Sequence, residues 1–130
     1  MTQPAKRPLA TGMAASISRR FSAADIAELH RISGAPDTQD LVPEALINGL
    51  FSYLLGVELP GPGTNYLKQD TRFLAAASIG DTLTARVEIT RLRPDKHLVD
   101  LATICTAHSG EVIAEGRALV LARDVEHAFT

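Results

Sequence analysis

The stretch PEALINGLFSYLLGVELPGPGTN, Pro43 to Asn65, decides the fold. Its first part reads as a helix. Pro43 suits the first helical position, where a missing N–H costs nothing. Leu46, Ile47, Leu50, Phe51, Leu54 and Leu55 then form a wide apolar band, relieved only by Asn48, Gly49 and Ser52. A helix this apolar is expected inside a core. Gly49 and Ser52 would let a strand approach closely. Pro60 to Gly63 then puts two prolines and two glycines in four residues, a stiff turn that ends the helix.

Beyond that turn the period changes to two. Leu67, Gln69, Thr71 and Phe73 alternate with Lys68, Asp70 and Arg72. Leu83, Ala85, Val87 and Ile89 alternate with Thr84, Arg86, Glu88 and Thr90 after a turn at Gly80-Asp81. Turns at Arg93 to Lys96 and His108 to Glu111 bound a strand through Val99, Leu101, Thr103 and Cys105. Val112 to Ala122 makes a last long strand. Upstream, Ala15 to Phe21 reads as a short strand. Ser22 to Gly34 reads as a helix: Ser22 is its N-cap, Asp25 stands three residues on, Ile26, Leu29 and Ile32 share a face, and Gly34 ends it. The order β-α-α-β-β-β-β argues an α+β fold with helices on one face of an antiparallel sheet. The greasy helix asks for a strongly curved sheet wrapped around it.

The chain has 130 residues, a length for one domain able to bury a core unaided. Residues 1–14 are expected to be a flexible N-terminal arm and 15–130 a single domain. Apolar residues make up 45% of the chain, which excludes a disordered class. A net charge of −2 without a basic stripe, together with 5% aromatics, argues against nucleic acid as a partner. Apolar runs fall short of the roughly 18 residues of a membrane span, and no signal-peptide core follows the first basic residues. A cytoplasmic protein is expected. The single cysteine, Cys105, reads as a small buried hydrophobe. His30, His97, His108 and His127 are scattered, without metal-ligand spacing, so no metal is expected. There is no P-loop, no G-x-G-x-x-G and no G-x-S-x-G.

Four motifs together carry a family resemblance: LPGPG at 59–63, YLKQ at 66–69, GDTLTARVE at 80–88 and GRALV at 116–120. The tract from Ser16 to Ala122 resembles the MaoC-like (R)-specific enoyl-CoA hydratases, which have the hot-dog fold. The resemblance implies a thioester of coenzyme A, or of acyl carrier protein, as substrate, with no cofactor and a homodimeric state. In that family an Asp and a His in a tract S-G-D-x-N-P-x-H activate a water. Backbone N–H groups at the start of the central helix bind the thioester oxygen.

The joint SGAPDTQDLVPEAL, Ser33 to Leu46, departs from that pattern. The family's Asp falls on Ala35, its Asn on Asp37, its His on Asp40 and its His-Gly pair on Pro43-Glu44. The joint is also shorter than theirs. Asp37, Asp40 and Glu44 are therefore the candidate catalytic acids. Each also has a plain structural reading: a turn residue after Pro36, a loop acid, and a first-turn acid favoured by the helix dipole. Asn48, one turn into the helix, is a candidate hydrogen-bond donor to substrate, and its alternative is a satisfied polar residue against a strand. The resemblance further puts Thr64, Leu67 and Leu119 along the acyl pocket, and core packing is the alternative for the two leucines.

Three activities follow from this reading. The first is hydration of enoyl-CoA and dehydration of 3-hydroxyacyl-CoA. The second is thioester hydrolysis on the same fold. The third is binding of acyl thioesters by a non-catalytic subunit.

Overall fold

A computed structural model describes residues 7–129. The chain runs β1 (Ala14–Arg20), α1 (Ala23–Ser33), α2 (Glu44–Tyr53), β2 (Asn65–Phe73), β3 (Thr82–Arg93), β4 (Leu98–Thr106) and β5 (Val112–Leu121). One antiparallel five-stranded sheet has the order β1-β3-β4-β5-β2. Strands β3, β4 and β5 follow one another as hairpins. Strand β2 pairs with β5 alone and so leaves one edge open.

The sheet buries the alternating residues read from the sequence. Leu83, Ala85, Val87 and Ile89 of β3, with Val99, Leu101 and Cys105 of β4, have no exposed surface. They pack with Ile47, Leu50, Phe51, Leu54 and Leu55 of the central helical segment. Removing water from that much apolar area, at about 25 cal/mol per Å², is the main driving force of the fold. The architecture is the expected α+β hot-dog.

Helix α1 is capped as its sequence requires. Ser22 Oγ accepts from the Asp25 N–H and Asp25 returns the bond to the Ser22 N–H at 2.9 Å. Gly34 closes the helix at φ 74°. Its expected apolar face is only partly used: Ile26 is buried, whereas Ile32 is 64% exposed.

Helix α2 differs from its reading in three ways. Pro43 is the N-cap and Glu44 the first helical residue. After Tyr53 the helix widens into a π-helical turn, Leu54–Glu58, from which the Leu59 N–H reaches back to the Leu54 carbonyl at 2.7 Å. One face is also bare. Ala45, Gly49, Ser52, Tyr53, Gly56 and Val57 are exposed, and no strand lies near Gly49. The small residues thus mark an open face, and the apolar band is buried on its other sides.

Part of the expected loose arm is docked. Leu9 N–H bonds the Ala128 carbonyl, Gly12 N–H bonds the Ile89 carbonyl, and Ile89 N–H bonds the Met13 carbonyl, each at 2.9 Å. Leu9 and Met13 pack on the core. Residues 1–6 of that arm lie outside the described residues. Among the described residues, no helix is long and apolar enough to cross a membrane.

Candidate active site

The joint between α1 and α2 is fixed at almost every step. His30 Nδ1 bonds the Ala35 carbonyl. Ser33 Oγ donates to the Leu29 carbonyl and accepts from the Ala35 N–H at 3.1 Å. Asp37 Oδ1 accepts from the Gln39 N–H at 2.8 Å, an Asx turn that holds Gln39 at φ 58°. Thr38 Oγ1 donates to the Leu41 carbonyl at 2.6 Å. Residues 40–42 then lie against residues 77–79. Ile79 N–H bonds the Asp40 carbonyl at 2.9 Å, Val42 N–H bonds the Ala77 carbonyl at 2.8 Å, and Leu41 bridges Ser78. Val42 and Pro43 are buried.

The acids project from this anchored backbone. Asp37, Asp40 and Glu44 are all exposed, and no side-chain bond joins any two of them among the described residues. The turn role of Asp37 is real. Asp40 holds the joint to Ile79 through its backbone and leaves its carboxylate outside. Glu44 opens α2. There Pro43 provides no side-chain cap; the Leu46 N–H bonds the Pro43 carbonyl at 3.0 Å, and the N–H groups of Glu44 and Ala45 have no intrahelical acceptor. A ligand oxygen placed there meets free donors and the positive end of the helix dipole.

Asn48 stands one turn further along the same face as Glu44. It is half-buried and tied to the edge strand: Thr71 Oγ1 donates to Asn48 Oδ1 at 3.0 Å, and Gln69 Nε2 donates to Thr71 Oγ1 at 2.8 Å. The sequence reading passed over Thr71. A hydroxyl at an inward position of β2, facing a polar residue in mid-helix, was the available signal.

The pocket positions form a second group. Strand β2 touches α2 where Thr71 meets Asn48, and Thr64 lies in the turn before that strand. Thr64 is half-buried and closes its own turn by donating to the Gly61 carbonyl at 2.7 Å. Leu67 sits in a β-bulge between Tyr66 and Lys68 and is 53% exposed. Leu119 is half-buried on the side of the sheet away from α2, opposite Lys68 and Asp100. Neither leucine belongs to the buried core. Four residues of extended chain separate Leu67 from Thr71, roughly 13 Å at about 3.3 Å per residue.

Two clefts lie elsewhere. One of about 650 Å³ runs between the N-terminal segment and the turn after α2, lined by Leu9, Met13, Val57, Leu59, Pro60 and Val125 among others. The other, about 560 Å³, is an open groove on the outer sheet face beside Asp70, Arg72, Ile104 and Arg117. Asp37, Asp40, Glu44 and Asn48 line neither.

No group of three or more His, Cys, Asp or Glu side chains that could hold a metal occurs among the described residues. Cys105 is fully buried, and burial pushes its thiol up to about 11. Its thiolate is the nucleophile it lacks at neutral pH. Cys105 should therefore resist aromatic disulfide reagents in the native protein at pH 8 and react once denaturant is added. The folded state holds this proton above the pH at which the unfolded thiol releases it. The stability contribution is thus full below about pH 9 and declines from there towards pH 11. Denaturant midpoints across that range, compared with Cys105→Ala, measure it.

Comparison with known proteins gives this geometry a context. No family model matches the chain. An (R)-specific enoyl-CoA hydratase of Aeromonas caviae is 35% identical over 126 residues, covering 86% of this chain and 94% of that protein. An (R)-specific enoyl-CoA hydratase of Rhodospirillum rubrum is 47% identical over 73 residues, 56% of this chain and half of that relative's length. The solved structure of the (R)-hydratase from A. caviae, described as involved in PHA biosynthesis, superposes with a TM-score of 0.80. It is 34% identical, with 86% of this chain and 96% of that one covered.

Proposed function

The chain belongs to the (R)-specific enoyl-CoA hydratase family, and we propose that it adds water to 2-enoyl-CoA thioesters and removes it from 3-hydroxyacyl-CoA. The observation that carries this reading is the match along 94% of the A. caviae hydratase at 35% identity. In the forward direction the water oxygen bonds to the β-carbon and one water proton passes to a base. The electron pair of the double bond moves towards the thioester, whose oxygen becomes negative. A proton at the α-carbon completes the product.

The open start of α2 supports a role for its first-turn N–H groups at that oxygen. Glu44 is the best placed of the three acids to act as base, because it stands on the same turn as those donors. Taking the water proton neutralises its carboxylate while the substrate oxygen gains charge, so the total charge beside the helix start stays constant. Asp37 has one oxygen engaged in its turn, and Asp40 is held through its backbone against Ile79. Both are assigned supporting roles at the mouth of the site. Thr64 and Leu67 are assigned to the acyl chain and Asn48 to the thioester, whereas Leu119 faces away from α2 and is given no part.

The test is the enoyl absorbance of crotonyl-CoA and longer enoyl-CoA substrates mixed with purified protein, with free thiol counted in the same samples. Loss of absorbance without thiol supports hydration. Thiol release without that loss would make the protein a thioesterase. One observation favours a binding-only subunit as a second reading: Ala35 occupies the position the family resemblance gives to an Asp, and the nearby acids face solvent. In that case acyl-CoA raises the melting temperature, as a ligand of the folded state must, and neither reaction occurs.

A second copy of the chain would complete the site. Strand β2 has an open edge, and Tyr66, Leu67 and Leu74 are exposed on it or just past its end. An unpaired edge flanked by apolar side chains is a template for strand pairing. Sedimentation should give a dimer, and Leu67→Lys should shift it towards monomer with loss of acyl-CoA binding. A monomeric wild type that binds acyl-CoA would contradict the assignment.

A further inference from the structure

We propose that Gln69 and Thr71 are positioning residues that fix the Asn48 amide with its NH2 group turned to the open face of α2, where it donates to the thioester carbonyl oxygen. The inference rests on the acyl-thioester reading above and specifies how that site grips the reacting carbonyl.

Three uncharged polar side chains make a directed chain on the inner side of β2. Gln69 Nε2 lies 2.8 Å from Thr71 Oγ1, and Thr71 Oγ1 lies 3.0 Å from Asn48 Oδ1. An amide nitrogen only donates. With one lone pair taken by Gln69, the single hydroxyl hydrogen of Thr71 goes on to Asn48. Asn48 must then accept through Oδ1, which leaves both Nδ2 hydrogens for something else. Asn48 Nδ2 has no hydrogen-bond partner among the described residues. It is also absent from the buried polar atoms without partners, so water or a ligand can reach it.

The direction of the chain depends on which way the Gln69 amide faces, an assignment made from hydrogen bonding. Gln69 Oε1 is buried and has no partner. Reversing the amide would bury an NH2 group there, with two hydrogens unpaired in place of one acceptor. The arrangement with Nε2 on Thr71 is therefore the less costly, and it fixes the polarity of all three groups. A buried acceptor left without a partner is uncommon in a folded protein. Here it holds the relay in one direction.

Placement fits the chemistry. Asn48 is four residues after Glu44, so both side chains occupy one face of α2 at its open start. The carbonyl oxygen of an enoyl thioester gains charge as water adds, and a neutral donor held in place beforehand stabilises that charge without reorganising. The backbone N–H groups of Glu44 and Ala45 share this task, and the charge of the Glu44 carboxylate close by opposes it. A side-chain amide on the next turn supplies a donor that carries no opposing charge.

Two near-isosteric variants test the relay. In Gln69→Glu the carboxylate can only accept, so Thr71 donates to it and accepts from Asn48 Nδ2. That turns Asn48 Oδ1 towards the substrate. In Thr71→Val the link is cut at nearly constant volume, and this variant carries the test if the first does not fold. The readout is the Raman carbonyl stretch of protein-bound butyryl-CoA, which cannot react, beside kcat for crotonyl-CoA. Wild type should lower the stretch relative to free butyryl-CoA. Both variants should lose that shift and about 10²-fold in kcat, the scale of one oxyanion donor, with the dissociation constant of butyryl-CoA little changed. A purely structural role would lower the melting temperature and leave the bound carbonyl as in wild type, which overturns the proposal. So does a wild-type complex with no shift, even where hydration is fast. Absence of any butyryl-CoA binding overturns the acyl-thioester reading itself. A shift lost in the variants without hydration in wild type would uphold the relay and sink the hydratase.

Discussion

Gly116→Ala is expected to cost at least about 4 kcal/mol, among the largest effects of any single substitution. A Cβ built on Gly116 would lie 1.7 Å from the Asp70 carbonyl oxygen, 2.7 Å from the Asp70 carbonyl carbon and 3.0 Å from Thr71 Cα. All three are backbone atoms, so no side chain can swing aside. Strand β2 would have to move off β5 by more than an ångström and forfeit ladder bonds along Asn65 to Phe73. Because β2 pairs with β5 alone, no other strand holds that edge. Gly49→Ala is the control. It lies in the interior of α2 with nothing within 4 Å of the added carbon. It should stabilise by about 0.5–1 kcal/mol through helix propensity. Urea unfolding of both variants measures the contrast, and equal effects would show that the close approach of β2 to β5 is absent.

Glu44→Gln should lower kcat for crotonyl-CoA hydration by about 10²- to 10⁴-fold, the range for loss of a general base. The fold should survive, because Glu44 is exposed and the substitution forfeits only a helix-dipole contribution of about 0.3–1 kcal/mol. Asp37→Asn keeps an oxygen for the Gln39 N–H, and the anchor of Asp40 is its backbone. Asp37→Asn and Asp40→Asn should therefore remain folded and stay close to wild-type rate. A loss concentrated in Asp37→Asn would move the base to that residue. Wild-type rates in all three variants would remove the base from the joint altogether.

Much of this molecule was legible from its letters because period and burial are directly linked. The alternation in β3 and β4 translated into fully buried inner faces, and Ser22, Asp25 and Gly34 fixed both ends of α1. Three features escaped for physical reasons. The bare face of α2 could not be read from an apolar band alone, since composition does not say which side of a helix lacks a neighbour. Leu67 left the inner face because a bulge shifts register by one residue, a long-range event of β2 against β5. The docked stretch from Leu9 to Met13 depends on partners at Ile89 and Ala128, far away in sequence. The joint was half legible. Its departure from the family pattern at Ala35 showed in the sequence, whereas its anchoring to residues 77–79 and the Gln69–Thr71–Asn48 chain required the fold.

The central claim is stereospecific hydration of an enoyl thioester by this chain. Its most direct measurement is the product formed from crotonyl-CoA in water by the purified protein, resolved by chiral chromatography. The account predicts 3-hydroxybutyryl-CoA of the (R) configuration, formed at a rate proportional to protein and lost with Glu44→Gln. Crotonyl-CoA recovered unchanged, or a product formed equally well by the Glu44→Gln protein, would contradict it.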